Sequence, residues 1–322
     1  MNKIFCTLGP ASLNSDFLGK IKKFNVSLLR INLSHTNIKD LKKIILFIKK
    51  RTSIPICIDT EGAQIRTIYH TKRLFKKNTL IKIDNNSKSK NLSLYPDIYN
   101  KLSVNMILDV GFENLKINII RKEKKYFIGK IVSEGFLEKN KGVHIQNKPI
   151  SLPTLTNKDI QAIKIAKEMK ITNFALSFTN SSKDIFFFNK MIPKERKIIK
   201  IETRKAINNI NDILKNCDEI LIDRGDLSKE INFLEVPNAQ RQIQKIANTK
   251  NKKVYIATNL LESMVSNPYP TRAEINDIYN CLELGAEGIV LAAETAIGKW
   301  PLECVKITSD VIKKYNKVVK KK

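Results

Sequence analysis

The 322 residues alternate between strand-like apolar runs and amphipathic stretches, and that alternation recurs eight times. The runs are KIFCTLG, SLLRINL, PICIDT, FALSFT, KIIKIE, EILIDRG, KVYIAT and GIVLAAE. Near-continuous Ile, Val and Leu suits strands buried on both faces. Helical periodicity fills 37–51, 157–169, 236–248, 271–284 and 300–314, each opening near an Asn, Thr or Pro start signal. Alternating strands and helices in this number predict an α/β fold, a (β/α)8 TIM barrel, whose functional residues gather at the carboxyl ends of the strands.

The pattern is interrupted once. Roughly 85 residues separate the third strand from the helix before the fourth, too many for a structureless connection in a compact domain. Residues 69–145 alternate in the manner of strands (TLIKIDN, SVNMILDVG, NLKINII, KYFIGKIV), with Asn-Asn, Asp-x-Gly and Glu-Gly turn signals. The expected organisation is a barrel from 1–68 and 146–322 with a small β-barrel domain, 69–145, inserted as a lid after the third strand. A lid over the barrel mouth would exclude water from a site beneath it.

The strand ends supply the candidate chemistry. A strand repeats every two residues, so Lys200 and Glu202, closing KIIKIE, leave the same face, while Asp226 in Arg224-Gly225-Asp226 follows the next run. One ammonium and two carboxylates can surround a single divalent metal there. Hard cations such as magnesium take carboxylate oxygens and keep waters and substrate phosphates as their other ligands, which points to phosphate chemistry. Further polar residues stand at other strand ends: Arg30, Asn32 and Ser34 after the second, Asp59 and Thr60 after the third, Thr258 after the seventh and Glu294 after the eighth. A barrel rim built for stability alone does not need so many charges, so these are read as functional.

Composition narrows the partners. The formal net charge is +27, yet the lysines are scattered (KKFN, FIKKR, RKEKK, VVKKK) without interleaved aromatics or a recognition motif. That argues against a specific nucleic-acid partner and for attraction of small anions. Cys6, Cys57, Cys217, Cys281 and Cys304 show no C-x-x-C spacing and read as reduced core thiols of a cytoplasmic protein. His35, His70 and His144 are too dispersed for a zinc site, and no signal peptide or long apolar span is visible, so no membrane association is expected.

An ordered series of motifs from Lys3 to about Val305 resembles the pyruvate kinase family: KIFCTLGPAS, LLRINLSHTN, ICIDTEGAQIRT, KGVHIQNKPISLPTLTNKD, FALSFT, KIIKIET, LIDRGDL, VPNAQR, ATNLLESM, NPYPTRAEINDIYN and VLAAETAIGKWP. The resemblance implies transfer of the phosphoryl group of phosphoenolpyruvate to ADP, giving pyruvate and ATP, with Mg2+ (or Mn2+) and K+ as cofactors. Residue by residue it implies that Arg30 binds the substrate phosphate, and that Lys200 stabilises the charge in transfer. Glu202 and Asp226 would be the magnesium ligands, the backbone at Gly225 and Asp226 would hold the substrate carboxylate, and Thr258 would sit near the proton-delivery step. Asn32, Ser34, Asp59 and Thr60 match the monovalent-cation site, and Asn32, His35, Arg66 and Lys141 the surroundings of the nucleotide. A threonine hydroxyl is too poor an acid to deliver a proton alone, so a water chain is the expected donor.

Departures from the family pattern are few. Leu291-Ala292-Ala293-Glu294-Thr295 lacks a hydroxyl that the family usually places in this stretch, and Gln64 is neutral where a Glu or Lys goes with potassium dependence or independence. Asn180 stands for an arginine, Val110 for an acid and Asn259 for a glutamine. The sequence closes soon after the eighth helix, where most family members continue into a carboxyl-terminal regulatory domain, so that domain's control is expected to be missing. A homo-oligomer would form through the barrel helices, most simply a dimer. Two other readings compete: a magnesium barrel enzyme doing carbon–carbon chemistry, which leaves Arg66 and Lys141 unexplained, and a degenerate, weakly active member or relict of the same family.

Overall fold

A computed structural model describes residues 2–62, 64–111, 114–146, 150 and 152–319. Eight strands close into a parallel barrel: β1 (Lys3–Leu8), β2 (Val26–Asn32), β3 (Ile56–Asp59), β4 (Asn173–Leu176), β5 (Arg196–Ile201), β6 (Glu219–Asp223), β7 (Lys253–Ala257) and β8 (Gly288–Leu291). Each coincides with one of the apolar runs. Neighbours in the chain pair in parallel, and Lys3 against Gly288 closes β1 on β8. The predicted (β/α)8 barrel is therefore the fold.

Alternation within each strand sorts its side chains. One set, Phe5, Leu28, Cys57, Ala175, Ile198, Leu221, Tyr255, Ala257 and Val290, fills the barrel interior with at least one residue from every strand. The other set, such as Ile4, Leu29, Ile199 and Ile220, packs outward against the helices. Leu41, Ile45 and Ile48 of the helix Ile38–Lys49 are buried against it at helical spacing, each contributing about 1.5–3 kcal/mol through removal from water. The amino-terminal end of the barrel is sealed by Phe5 stacked on Tyr255 with centroids 4.3 Å apart. Beside them Arg196 grips Glu219 (Nη2 to Oε2, 2.6 Å) and donates to the Tyr255 hydroxyl at 3.1 Å.

Two residues further along, the interior positions of six strands become polar: Phe5 gives way to Thr7, Leu28 to Arg30, Cys57 to Asp59, Ala175 to Ser177, Ile198 to Lys200 and Leu221 to Asp223. All six are buried. The same pleat that fills the core thus aims a ring of polar groups into the carboxyl end.

Contacts divide the chain into one unit of Met1–Gly62 with Thr154–Lys322, and a second of Ala63–Pro153, somewhat wider at both ends than 69–145. The strands of the second unit pair antiparallel. Its larger sheet runs in the order Leu80–Ile83, Phe127–Ser133, Leu115–Lys122, Ile107–Val110, Gly142–Ile145, Ile65–Ile68 and Ser93–Tyr95, and a bridge between Ile83 and Leu92 links the two ends of that order. Gly135–Leu137 pairs with Arg73–Phe75 in a smaller sheet. Ile83, Leu108, Ile117, Phe127 and Ile131 form its own core, which Val110 joins, fully buried. Among the described residues, no helix is long and apolar enough to cross a membrane.

Candidate active site

Lys200, near the end of β5, is buried among carboxylates. Its Nζ lies 2.9 Å from Glu202 Oε2, 3.2 Å from Asp223 Oδ2 and 3.8 Å from Asp59 Oδ2. It also donates to Ser177 Oγ at 3.3 Å. Burial alone would strip the proton from this amine, but the three carboxylates outweigh that penalty and hold its pKa above the ordinary lysine value. Arg30 on β2 is held in the same way. Its Nε donates to Asp59 Oδ2 at 2.6 Å, Nη2 pairs with the same carboxylate, and Nη1 donates to Thr7 Oγ1 at 3.0 Å. Desolvation pulls its pKa down, and Asp59 and Asp223 more than reverse that.

Glu202 lies one pleat beyond Lys200. Its Oε1 accepts from the backbone N–H of Phe178 at 2.6 Å, whereas Oε2 faces Lys200 without hydrogen-bond geometry and takes no other donor among the described residues. Glu202, Asp223 and Asp226 each offer an oxygen within 4.8 Å of the others. Asp226, in the helix Arg224–Glu230, accepts from Lys229 Nζ at 2.8 Å. Two buried cations, Arg30 and Lys200, thus face four carboxylates, Asp59, Glu202, Asp223 and Asp226. The excess negative charge is legible in Glu202, whose pKa is pushed up to about 8, first by burial and then by Asp226 and Asp223 acting against Lys200. Asp223 goes the other way: Lys200, Arg30 and the Thr258 hydroxyl overcome its burial and hold it well below the usual carboxylate range.

A buried carboxylate oxygen that faces Lys200, an all-oxygen donor set and surplus negative charge fit a hard divalent cation. Glu202 and Asp226 are the residues singled out for one. Asp223 is not among them, although its parity with Leu221 aims it inward, as does that of Ser177 with Ala175. That parity was the signal available.

Local backbone strain accompanies the cluster. Among the described residues, nine other than glycine adopt positive φ, and six of these are asparagines, which tolerate it. Phe178 (φ 52°), whose N–H serves Glu202, and the β-branched Thr258 (φ 75°) do not share that tolerance. Thr258 is clamped. Arg224 donates to its carbonyl from Nε at 3.0 Å and Nη2 at 2.7 Å, and its own Oγ1 donates to Asp223 Oδ1 at 2.7 Å. Gly225 has to be glycine beside it, since a Cβ there would meet Thr258 Cγ2 at 2.7 Å.

The candidate monovalent-cation residues end or follow β2 and β3. Asn32 and Asp59 are register partners on β2 and β3, Asn32 Oδ1 accepts from the Ser34 N–H at 3.0 Å, and Thr60 Oγ1 accepts from the Ser177 N–H at 2.9 Å. His35 follows on the surface of the same unit. Arg66 and Lys141 belong to the second unit, where Arg66 pairs with Gly142 and Lys141 Nζ lies 3.0 Å from Glu138. Glu294 serves the backbone, accepting from the N–H groups of Ala292 and Leu261 at 2.7 and 3.1 Å. Asn180 Oδ1 accepts from Thr203 Oγ1 at 2.9 Å. A recess of about 250 Å³ opens beside Arg224, Phe233, Arg241 and Asn280 and is lined by none of the predicted site residues.

Residues 1–305 match the model of the pyruvate kinase barrel domain. The chain belongs to the pyruvate kinase family. A pyruvate kinase of Thermotoga maritima is 34% identical over 98% of this chain and 71% of its own length. One from Buchnera aphidicola subsp. Schizaphis graminum is 32% identical over 98% of the chain and 70% of its own length. One from Bacillus licheniformis is 31% identical over 96% of the chain, which spans little more than half, 56%, of that pyruvate kinase. Membership makes the chain a kinase-type transferase by descent, with its barrel in the family's architecture.

Proposed function

We propose that this chain moves the phosphoryl group of phosphoenolpyruvate to ADP, giving pyruvate and ATP as a pyruvate kinase of glycolysis. The observation that carries the reading is Lys200 buried at the barrel's carboxyl end between Glu202, Asp223 and Asp59, with Asp226 completing a carboxylate set within 4.8 Å. Phosphoryl transfer asks mainly for positioning and for fixed positive charge around dispersed negative charge.

In this reading Glu202 and Asp226 hold Mg2+, which when bound neutralises charge on the transferring group and the enolate oxygen. Lys200 remains an ammonium throughout, so it stabilises developing charge rather than acting as a base. Arg30, already braced by Asp59 and Thr7, presents its remaining N–H groups to the substrate phosphate. The backbone at Gly225 and Asp226 holds the substrate carboxylate, and Thr258 stands where the enolate is protonated. Asn32 and His35 serve the nucleotide. Asn32, Ser34, Asp59 and Thr60 provide oxygens for K+, with Gln64 adding no charge, so potassium activates with a raised half-saturation. The test is pyruvate formation from phosphoenolpyruvate, ADP and magnesium, coupled to lactate dehydrogenase. Turnover supports the reading; its absence at saturating substrates refutes it.

A further inference from the structure

Asp223 is a buried carboxylate whose two oxygens go to different partners. Oδ1 accepts from Thr258 Oγ1 at 2.7 Å, and Oδ2 meets Lys200 Nζ at 3.2 Å. An ionised carboxylate can only accept, so the single hydroxyl proton of Thr258 is committed to Asp223 and its oxygen is left with lone pairs alone. The threonine cannot swing away. Arg224 fixes its carbonyl through two donors and is itself anchored on Asp277 at 2.7 Å, while the bare Cα of Gly225 leaves room for Cγ2.

We propose that Asp223 is a positioning residue that ties the Thr258 hydroxyl to the Lys200 ammonium and fixes Thr258 Oγ1 as a hydrogen-bond acceptor facing the reacting centre. Thr258 then orients a water or substrate donor; it does not itself donate a proton. A carboxylate at 223 also places the two groups in one hydrogen-bonded unit, so each depends on the other. This inference rests on the proposed phosphoryl transfer.

The test is a double-mutant cycle on turnover with Asp223→Ala and Thr258→Ala, together with deuterium uptake into the methyl group of pyruvate in D2O. Each single variant is expected to lower kcat and methyl exchange at least about tenfold, with KM for phosphoenolpyruvate changed less than about threefold. The double variant is expected to be within about threefold of the slower single one, because both act through one hydroxyl. Asp223→Asn, which keeps an acceptor for Thr258, should recover part of the exchange. Where Asp223→Ala fails to fold, Asp223→Ser, too short to span to Thr258 Oγ1, takes its place in the cycle. Multiplicative losses in the double variant, or normal exchange in Asp223→Ala, overturn the proposal while leaving the kinase reading intact. A parent chain that forms no pyruvate overturns both.

Discussion

Glu202, just past β5, and Asp226, in the first turn of the helix after β6, approach each other, and their substitution is the sharpest test at the residue scale. Glu202→Gln and Asp226→Asn each remove charge from the proposed cation site while keeping its shape. Turnover should fall at least about a hundredfold in either, and near-normal rates at saturating magnesium would strike that residue from the ligand set. Glu202 also predicts a pH dependence. Its folded-state pKa of about 8 lies above the ordinary value, so the folded chain binds this proton more tightly than the unfolded one. The associated stability is present in full below the usual carboxylate range and is lost as pH rises through about 8. A divalent cation replaces the proton, so magnesium should raise the melting temperature more at about pH 9 than at about pH 6, and Glu202→Gln should abolish the difference. Equal rises at both pH values would contradict the cluster's electrostatics. Lys200, Glu202 and Asp226 were legible because the two-residue repeat and the Arg-Gly-Asp motif stand out in the sequence. Asp223 and Ser177 were not, since an acid or hydroxyl at a strand end looks like ordinary rim polarity until the interior parity of the whole barrel is known.

Among the elements, the helix Asn157–Glu168 does more than cover β3 and β4. Its capping box joins Thr156 and Asp159, and the same Asp159 carboxylate accepts from the backbone N–H groups of Glu61 at 2.7 Å and Gly62 at 3.1 Å. One side chain therefore starts a helix and pins the loop after β3. Asp159→Ala would lose a cap and orphan two buried donors, for an expected loss of about 3 kcal/mol by urea unfolding. A loss under about 1 kcal/mol would show that water satisfies the loop. The eight barrel strands could be read from sequence because parallel strands buried on both faces become unbroken apolar runs. Ile65–Ile68, Arg73–Phe75, Ser93–Tyr95, Gly135–Leu137 and Gly142–Ile145 could not. At three or four residues they are too short to show a period, and the sheet depends on partners distant in the chain.

For the whole molecule, a formal charge of +27 surrounds a buried cluster in which carboxylates outnumber cations. The long-range field favours the approach of polyanions such as phosphoenolpyruvate and ADP, whereas the local surplus of carboxylate selects for a cation to receive them. Raising ionic strength from about 50 to about 500 mM with tetramethylammonium chloride, at fixed potassium and magnesium, should therefore lower kcat/KM several-fold while kcat changes little. An unchanged kcat/KM would remove the field from the account. The thiols add no competing chemistry: Cys6 and Cys304 are buried and pushed up to about 12 by desolvation.

The most direct measurement is the magnesium dependence of pyruvate formation by the parent chain and by Lys200→Met. Pyruvate formed by the parent only when magnesium is present, with turnover lost at least about a thousandfold in a folded Lys200→Met variant, is the predicted result. Turnover without magnesium, or a Lys200→Met variant as fast as the parent, would contradict it.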